Sequence, residues 1–215
     1  MAVATAIANT QARVPVKPVI GLVGAIGAGK STAAAAFALR GGFVVDADKL
    51  GHDALEQPEI RRMVLDRWGA AGITRNTDGR IDRKAVAAIV FANPAERAAL
   101  EGMVYPYIGK RAEEEIAAAC AEPAVKFAVV DAAVMLEAGW NICDRLVYID
   151  APRSARLARV AARSGWTEAD LAARESAQWP ADAKKKRCDA IVVNEGSREQ
   201  LQEKVDRLLK EWGVV

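Results

Sequence analysis

The residues whose types and spacing could do chemistry begin near the N-terminus, in a glycine-rich stretch that ends in a lysine and a serine. Gly24-Ala25-Ile26-Gly27-Ala28-Gly29-Lys30-Ser31 matches the pattern G-x-x-x-x-G-K-[ST] in full, and Thr32 follows it. In this pattern glycines let backbone N–H groups close around phosphate oxygens, the lysine neutralises the β and γ phosphates, and the hydroxyl ligates Mg²⁺. We therefore expect ATP to be the phosphoryl donor and assign its triphosphate to Gly24, Gly27, Ala28, Gly29, Lys30, Ser31 and Thr32. Within this set Ser31 is the expected magnesium ligand, and Lys30 is also expected to act in catalysis.

The residues on either side of this loop favour the same interpretation. The apolar residues 19–23 before it predict a buried strand, and the alanine-rich stretch after Thr32 predicts a helix. A helix that begins at the loop adds positive potential where phosphates would lie. The alternative is a glycine turn that only packs the helix, and the strand-loop-helix context makes it the weaker interpretation.

Acidic residues follow two other apolar stretches. Asp46-Ala47-Asp48 comes after residues 43–45, and Asp131 ends residues 127–131. A carboxylate at such a position can orient an acceptor hydroxyl and take its proton during phosphoryl transfer, or hold a magnesium-bound water. Aspartates at strand ends also often cap the next helix. From spacing alone, Asp46 and Asp48 could be either catalytic or capping residues, and Asp131 could simply begin a loop.

Five apolar stretches rich in valine and isoleucine predict the elements that position these side chains. They are residues 19–23, 43–45, 127–131, 145–150 and 190–193, and helical stretches alternate with them. This alternation predicts an α/β fold of three layers, with a five-stranded parallel sheet covered by helices on both faces. Ligands of such sheets bind at the carboxyl ends of the strands, where the loop and the aspartates would meet.

Two long segments interrupt the alternation. The first, at about residues 49–123, contains three stretches of helical spacing, at residues 59–68, 82–91 and 94–120, and predicts a helical insertion. The second, at about residues 152–187, is rich in cations, and Arg156, Arg159 and Arg163 recur at helical spacing. Such a face is most often solvated, but one or two arginines above a transferring phosphate would suit a kinase lid. We assign Arg159 to the nucleotide on this ground.

The end of the last predicted strand offers a further polar segment. Asn194-Glu195-Gly196-Ser197 could line the pocket for adenine, and we assign Asn194 and Gly196 to the nucleotide. Taken alone, the same four residues form a turn and a helix cap.

Composition limits the classes of partner. The chain has 215 residues with 30 basic and 28 acidic side chains, a formal charge of +2, so no global field selects nucleic acid or an anionic membrane. We expect a small-molecule substrate and no obligate protein partner. The three widely spaced cysteines and the single histidine, His52, form neither a disulfide framework nor a zinc motif, which favours a cytoplasmic location. Residues 1–18 are expected to form a flexible leader before a kinase domain at 19–215.

Several segments together resemble the dephospho-CoA kinase family. Beyond the glycine-rich loop they are Asp46-Ala47-Asp48, Ile81-Asp82-Arg83-Lys84 with Val90-Phe91, Tyr105-Pro106-Tyr107-Ile108, Leu136-Glu137, Arg174 to Gln178, Lys184 to Arg187 with Cys188-Asp189, and Asn194-Glu195-Gly196-Ser197. The resemblance implies a P-loop kinase core, a helical domain that holds the CoA moiety, and a lid that closes over ATP.

The resemblance also implies an activity and roles for individual residues. The expected reaction is phosphorylation of the ribose 3′-hydroxyl of dephospho-CoA by ATP, the last step of CoA biosynthesis. Asp48 aligns with the family's proposed catalytic base. Arg83, Tyr105, Asp131 and Glu137 fall on the side of the acceptor, where Asp48 is also expected to contact the substrate.

Two segments depart from the family pattern near the expected acceptor site. Tyr105 occupies the position where the family usually has histidine. The family usually has Pro-Leu-Leu-Phe-Glu at the positions where this chain has Ala133-Val134-Met135-Leu136-Glu137. A tyrosine cannot carry positive charge near neutral pH, so a contact to substrate phosphates would be weaker. The alternatives are another small-molecule P-loop kinase, such as a nucleoside or nucleotide kinase, and a regulatory NTPase that uses nucleotide as a switch.

Overall fold

A five-stranded, wholly parallel sheet forms the centre of the molecule. The computed structural model describes residues 17–75 and 78–215. The strands are β1 (Val19–Gly24), β2 (Gly42–Asp46), β3 (Phe127–Asp131), β4 (Arg145–Asp150) and β5 (Ala190–Val193), in the spatial order β2-β3-β1-β4-β5. All five predicted strands are confirmed, and so is the α/β class. Parallel pairing places all five carboxyl ends at one edge of the sheet.

Helices cover both faces of this sheet. They are α1 (Lys30–Ala38), α2 (Ala47–Ala54), α3 (Pro58–Trp68), α4 (Arg83–Ala92), α5 (Pro94–Ala121), α6 (Arg153–Ser164), α7 (Glu168–Glu175), α8 (Ala181–Lys185) and α9 (Arg198–Glu211), with a short 3₁₀ helix at Gly69–Ala71. The three-layer arrangement follows from strands that are apolar on both faces, because each face has to be removed from water.

Two hydrophobic cores lie on opposite faces of the sheet. In the first, Ile20 and Leu22 of β1 pack with Phe37 of α1 and with Leu201 and Val205 of α9. In the second, buried residues of α2 to α5 pack on the opposite face. Burial of both faces makes the sheet a rigid platform for the loops at its carboxyl edge.

The helices predicted between the second and third strands are present with small shifts at their ends. The predicted stretch 82–91 becomes α4, which begins one residue later because Asp82 is its cap and accepts hydrogen bonds from the N–H groups of Lys84 and Ala85. In the same way Asn93 caps α5 by accepting from Ala95. The sequence analysis did not predict α2, a short helix that follows β2 without a connecting loop. That residues 49–123 form a substrate-binding unit stays a prediction.

The second excursion contains α6, α7 and α8. Its assignment as a lid also stays a prediction. The flexible leader predicted for residues 1–18 lies outside the described residues except for Lys17 and Pro18. Among the helices that the structure describes, none is both long enough and apolar enough to traverse a lipid bilayer.

Candidate active site

The glycine-rich loop of residues 24–31, called here the P-loop, takes a conformation that requires glycine at two positions. Gly27 and Gly29 have φ angles of 77° and 90°, in the left-handed region that residues with a Cβ rarely adopt. Space is also short, because a Cβ on Gly29 would lie 2.2 Å from Nδ2 of Asn194. These glycines let the loop turn sharply and place its backbone against the end of the sheet.

Helix α1 begins directly at the P-loop. Gly29 is its N-cap residue, and Lys30, Ser31 and Thr32 form its first turn. N–H groups of a first helical turn have no intrahelical partner, and the helix dipole makes this end electropositive. The first turn carries no acidic side chain that would compete for this potential. The geometry suits a bound polyphosphate, as the motif predicts.

Two side chains support the P-loop through its carbonyl groups. Asn194 is buried, with 6% of its surface exposed, and its Nδ2 donates to the carbonyl of Ala28 at 2.8 Å. Arg159 donates to the carbonyls of Gly27 at 3.2 Å, Ala28 at 3.1 Å and Asn194 at 2.9 Å. The two residues assigned to the nucleotide from sequence therefore also hold the loop in shape.

The arginine face of α6 packs against this same loop. Arg156 donates to the carbonyl of Ile26 at 3.2 Å and forms an ion pair with Glu175 of α7. Arg163, one turn beyond Arg159, lines the same cavity as Lys30. The expectation of a solvated face is wrong for Arg156, which is partly buried against the P-loop, as is Arg159, which the sequence analysis had set apart from that face.

The structure separates the two aspartates that follow β2. Asp46 is the N-cap of α2, and its Oδ1 accepts from the N–H of Lys49 at 3.0 Å. Asp48 lies in the first turn of α2 and lines the cavity above Lys30 and Ser31. The capping alternative thus holds for Asp46, while Asp48 lines the same cavity as the P-loop residues Lys30 and Ser31.

Asp131 joins this cluster from the neighbouring strand. Its Cα is paired in register with that of Asp46, so the ends of β2 and β3 coincide. Burial raises the pKa of the Asp131 carboxyl. The Lys30 ammonium and a hydrogen bond with Ser31 lower this pKa and so offset part of the rise. The carboxylates of Asp48 and Asp46 raise it further. Three of the groups that shift this pKa, Lys30, Ser31 and Asp48, are also groups that phosphoryl transfer could employ.

A single cavity of about 380 Å³ brings most of these groups together. Its lining comprises Ile26, Gly27, Gly29, Lys30, Ser31, Thr32, Asp48, Asp131, Ala133, Arg159, Val160 and Arg163. The cations Lys30, Arg159 and Arg163 therefore line the same cavity as the carboxylates of Asp48 and Asp131. Phosphoryl transfer between two bound molecules uses both kinds of group.

The residues expected on the acceptor side lie in different settings. Tyr105 of α5 is half-buried and packs edge to face with Trp140, with ring centroids 5.8 Å apart. Burial raises the pKa of its hydroxyl above the ordinary range, and the carboxylates of Glu101 and Glu137 raise it further, so the phenol stays neutral. Arg83 is exposed at the start of α4.

Glu137 is engaged by the polypeptide itself. Its Oε1 lies 2.6 Å from Nζ of Lys184 and accepts from the N–H of Trp179 at 3.0 Å. Its Oε2 is buried and has no hydrogen-bond partner among the described residues.

A family model describing dephospho-CoA kinase matches residues 18–200, nearly the whole of the described chain. The chain belongs to the dephospho-CoA kinase family. The dephospho-CoA kinase of Anaeromyxobacter dehalogenans is 40% identical to it over 192 residues, which are 89% of this chain and 90% of that relative. The family assignment also makes the chain a kinase.

Solved structures agree with the fold. A crystal structure from Thermus thermophilus aligns with a TM-score of 0.74 and 32% identity, over 91% of this chain and 97% of that one. The dephospho-CoA kinase of Campylobacter jejuni aligns with a TM-score of 0.65 over 90% and 96% of the two chains. At 23% identity, this second likeness shows the fold alone.

The sequence analysis assigned no site role to three residues that the structure places at or beside the cavity. Arg163 could have been assigned from its position four residues after Arg159, which places both on one face of α6. Ala133 lines the cavity as part of the segment that departs from the family pattern. Lys184 is buried although it belongs to a run of three lysines, a pattern that normally indicates a solvated surface.

The cavity also has ligands suited to a magnesium ion. Ser31 supplies a hydroxyl, and Asp131 and Asp48 supply carboxylates, to the lining of the same cavity. Among the described residues no group of three or more His, Cys, Asp or Glu side chains could hold a metal by itself. Mg²⁺ in phosphoryl-transfer enzymes needs only one or two protein ligands, since phosphate oxygens and waters complete its octahedron. The oxygen donors at this position fit that ion.

Proposed function

We propose that the protein transfers the γ-phosphoryl group of ATP to the 3′-hydroxyl of the dephospho-CoA ribose, which gives CoA and ADP as the last step of CoA biosynthesis. The observation that carries the proposal is the cavity in which Lys30 and Ser31 of the P-loop face Asp48 and Asp131. In this cavity the P-loop residues can hold a triphosphate, and the Asp48 carboxylate can receive a hydroxyl.

The donor is held by the P-loop and the first turn of α1. Backbone N–H groups and the helix dipole bind the β and γ phosphates, and the Lys30 ammonium neutralises their charge. Arg159 and Arg163 extend the positive lining toward the transferring group. Asn194 and Gly196 lie at the carboxyl end of β5, where we place the adenine. Ser31, together with Asp131 of the same cavity, would hold a magnesium ion, which would supply further charge neutralisation at the phosphates.

The acceptor hydroxyl is activated by Asp48. The ribose oxygen attacks the γ phosphorus in line, the bond from phosphorus to the bridging oxygen of ADP breaks, and the hydroxyl proton passes to the Asp48 carboxylate. Transfer is direct and uses no covalent enzyme intermediate. Positioning and electrostatic stabilisation by groups already in place supply most of the acceleration.

The remaining acceptor contacts are assigned to residues of the insertion and of the loop after β3. We assign Arg83 to a phosphate of dephospho-CoA, and Tyr105 and Glu137 to hydrogen-bonding groups of the same molecule. We propose a cytoplasmic location, and the unpaired thiols of Cys120, Cys143 and Cys188 support it because a reducing compartment keeps thiols free.

A product assay tests this function directly. Purified protein is incubated with ATP and Mg²⁺ and with dephospho-CoA, adenosine, AMP or shikimate in turn, and phosphorylated products are identified by mass. We expect an increase of one phosphate on dephospho-CoA alone. Transfer to another acceptor would refute the proposed substrate, and hydrolysis of ATP without any phosphorylated acceptor would indicate a nucleotide switch.

Replacing Tyr105 by histidine tests the departure from the family pattern. Tyr105→His restores a side chain that can become positively charged, so we expect kcat/KM for dephospho-CoA to be preserved or raised. The edge-to-face contact with Trp140 is weakened, at a cost of about 1 kcal/mol in the free energy of unfolding. Steady-state kinetics and thermal melts measure the two effects.

The matched control for this substitution is Tyr105→Phe, which keeps the ring against Trp140 and removes only the hydroxyl. If Tyr105→His folds and has lost all use of dephospho-CoA, the pocket is built around the tyrosine, and the prediction is wrong.

A further inference from the structure

Lys184 of α8 is a buried cation outside the cavity described above. Only 1% of its surface is exposed, whereas Lys186 two residues later is exposed. Removing an ammonium group from water is costly unless it is paired and hydrogen-bonded. Lys184 meets this condition through Oε1 of Glu137 at 2.6 Å, Oε1 of Gln178 at 3.2 Å and the carbonyl of Ala133 at 3.3 Å.

These contacts join two parts of the chain that are distant in sequence. Glu137 and Ala133 belong to the β3–β4 connection (residues 132–144), and Gln178 belongs to the α7–α8 segment (residues 176–180). The N–H of Trp179 in the second part also donates to Oε1 of Glu137, at 3.0 Å. Lys184 and Glu137 are therefore the centre of a buried polar junction between the predicted lid and the loop after β3.

The β3–β4 connection is part of the catalytic cavity. It follows Asp131 directly, and Ala133, whose carbonyl binds Lys184, lines the cavity. On its other side, the lid reaches the P-loop through Arg156, which is bound to both Glu175 and the carbonyl of Ile26. The junction thus sets the position of the acceptor-side loop relative to the lid and the P-loop.

The second oxygen of Glu137 has no partner within the junction. Oε2 is buried and accepts no hydrogen bond from any described residue. An unsatisfied buried carboxylate oxygen is unfavourable, and the arrival of a hydrogen-bond donor relieves that cost. Lys184 and the Trp179 amide both bind Oε1, so the carboxylate is held through this one oxygen and depends on these two donors.

We infer that Lys184 is a positioning residue for the phosphoryl acceptor: by binding Glu137 and the Ala133 carbonyl, it fixes the loop after β3, whose residue Ala133 lines the catalytic cavity, in the position that binds the acceptor. The identity of the acceptor rests on the proposed function. The junction itself rests only on the buried contacts of Lys184 and Glu137.

Kinetics of Lys184→Met test the acceptor effect. Methionine keeps an unbranched apolar side chain but removes the charge, so Glu137 loses the cation that holds it. We expect kcat/KM for dephospho-CoA to fall by about 10- to 100-fold, the loss of one charged hydrogen bond, with most of the change in KM. ATP affinity, measured by calorimetric titration, should change by less than about threefold because the P-loop contacts remain. Lys186→Met is the matched control and should behave as wild type, since Lys186 is exposed.

A second pair of variants separates positioning from stability. Lys184→Arg keeps the cation and should retain most of the acceptor affinity. The double variant Lys184→Met with Glu137→Gln removes both charges of the buried pair. It should therefore regain the thermal stability that Lys184→Met alone loses, while its KM for dephospho-CoA stays high. Recovery of both quantities in the double variant would overturn the inference, as would an unchanged KM in Lys184→Met.

Hydrogen exchange tests the junction without any acceptor. In the nucleotide-free protein, amides of residues 132–140 should exchange at least about tenfold faster in Lys184→Met than in wild type, while those of α9 stay unchanged. Unchanged exchange in residues 132–140 would refute the junction whatever the substrate is. If exchange rises as expected but wild type does not phosphorylate dephospho-CoA, the proposed acceptor is wrong and the junction stands.

Discussion

Lys30→Ala is expected to lower kcat/KM for the kinase reaction by about 10² to 10³-fold, the loss typical of removing one group that stabilises transition-state charge. Lys30 lies in the first turn of α1 and lines the cavity, where its ammonium would neutralise the β and γ phosphates. The fold should persist, because the side chain belongs to neither hydrophobic core. Initial rates across ATP concentrations, with a circular dichroism melt, measure both effects.

The matched control for this lysine is Lys110→Ala. Lys110 lies on α5 with 77% of its side chain exposed and makes only a surface pair with Glu114. Its replacement should leave turnover within about twofold of wild type, since such pairs contribute little. If Lys30→Ala turned over at a rate close to wild type, the nucleotide site would have to be sought elsewhere.

Asp48→Asn is expected to lower kcat by about 10² to 10⁴-fold, the range of a general-base contribution. The substitution keeps size and shape but removes the proton acceptor and the negative charge, so packing changes little. ATP affinity should change by less than about tenfold, because the P-loop and the first turn of α1 are untouched. Single-turnover rates with dephospho-CoA and calorimetric titration of ATP measure the two quantities.

Asp46→Asn provides the contrast that makes this test specific. Asp46 caps α2 by accepting from Lys49, and an asparagine oxygen can accept the same bond, so stability and activity should stay close to wild type. If Asp48→Asn keeps more than about a tenth of the wild-type rate, the loss is smaller than the smallest typical contribution of a general base, and Asp48 does not have that role. A parallel collapse of ATP binding would instead make Asp48 a residue of the metal and nucleotide site.

The phosphate-binding half of the site was predictable from sequence for a physical reason. The P-loop is contiguous, and its ligands are backbone groups and the first residues of one helix, so the motif itself contains the whole arrangement. The strands were predictable in the same way, since burial on both faces requires nearly continuous apolar stretches. Helix ends were less accurate, and α2 was missed because it follows β2 directly and has only eight residues.

The aspartates show where sequence reasoning stopped. Asp46 and Asp48 are two residues apart, both follow a strand, and either could have been the cap. The choice depends on where α2 begins relative to the carboxyl end of β2, and only the folded chain determines it. In the same way, helical spacing placed Arg156, Arg159 and Arg163 on one face, but it could not show that the P-loop covers this face.

By itself, the sequence determined the parallel sheet, the phosphate-binding loop and the family, because each of these resides in local or contiguous patterns. The tertiary structure alone decided which lysine of Lys184-Lys185-Lys186 is buried, and that Glu137 of a distant loop is its partner. Periodicity tells which residues share a face. It does not tell which segment will pack on that face, and the free energy of a buried charge depends on the partner that this packing brings within hydrogen-bond distance.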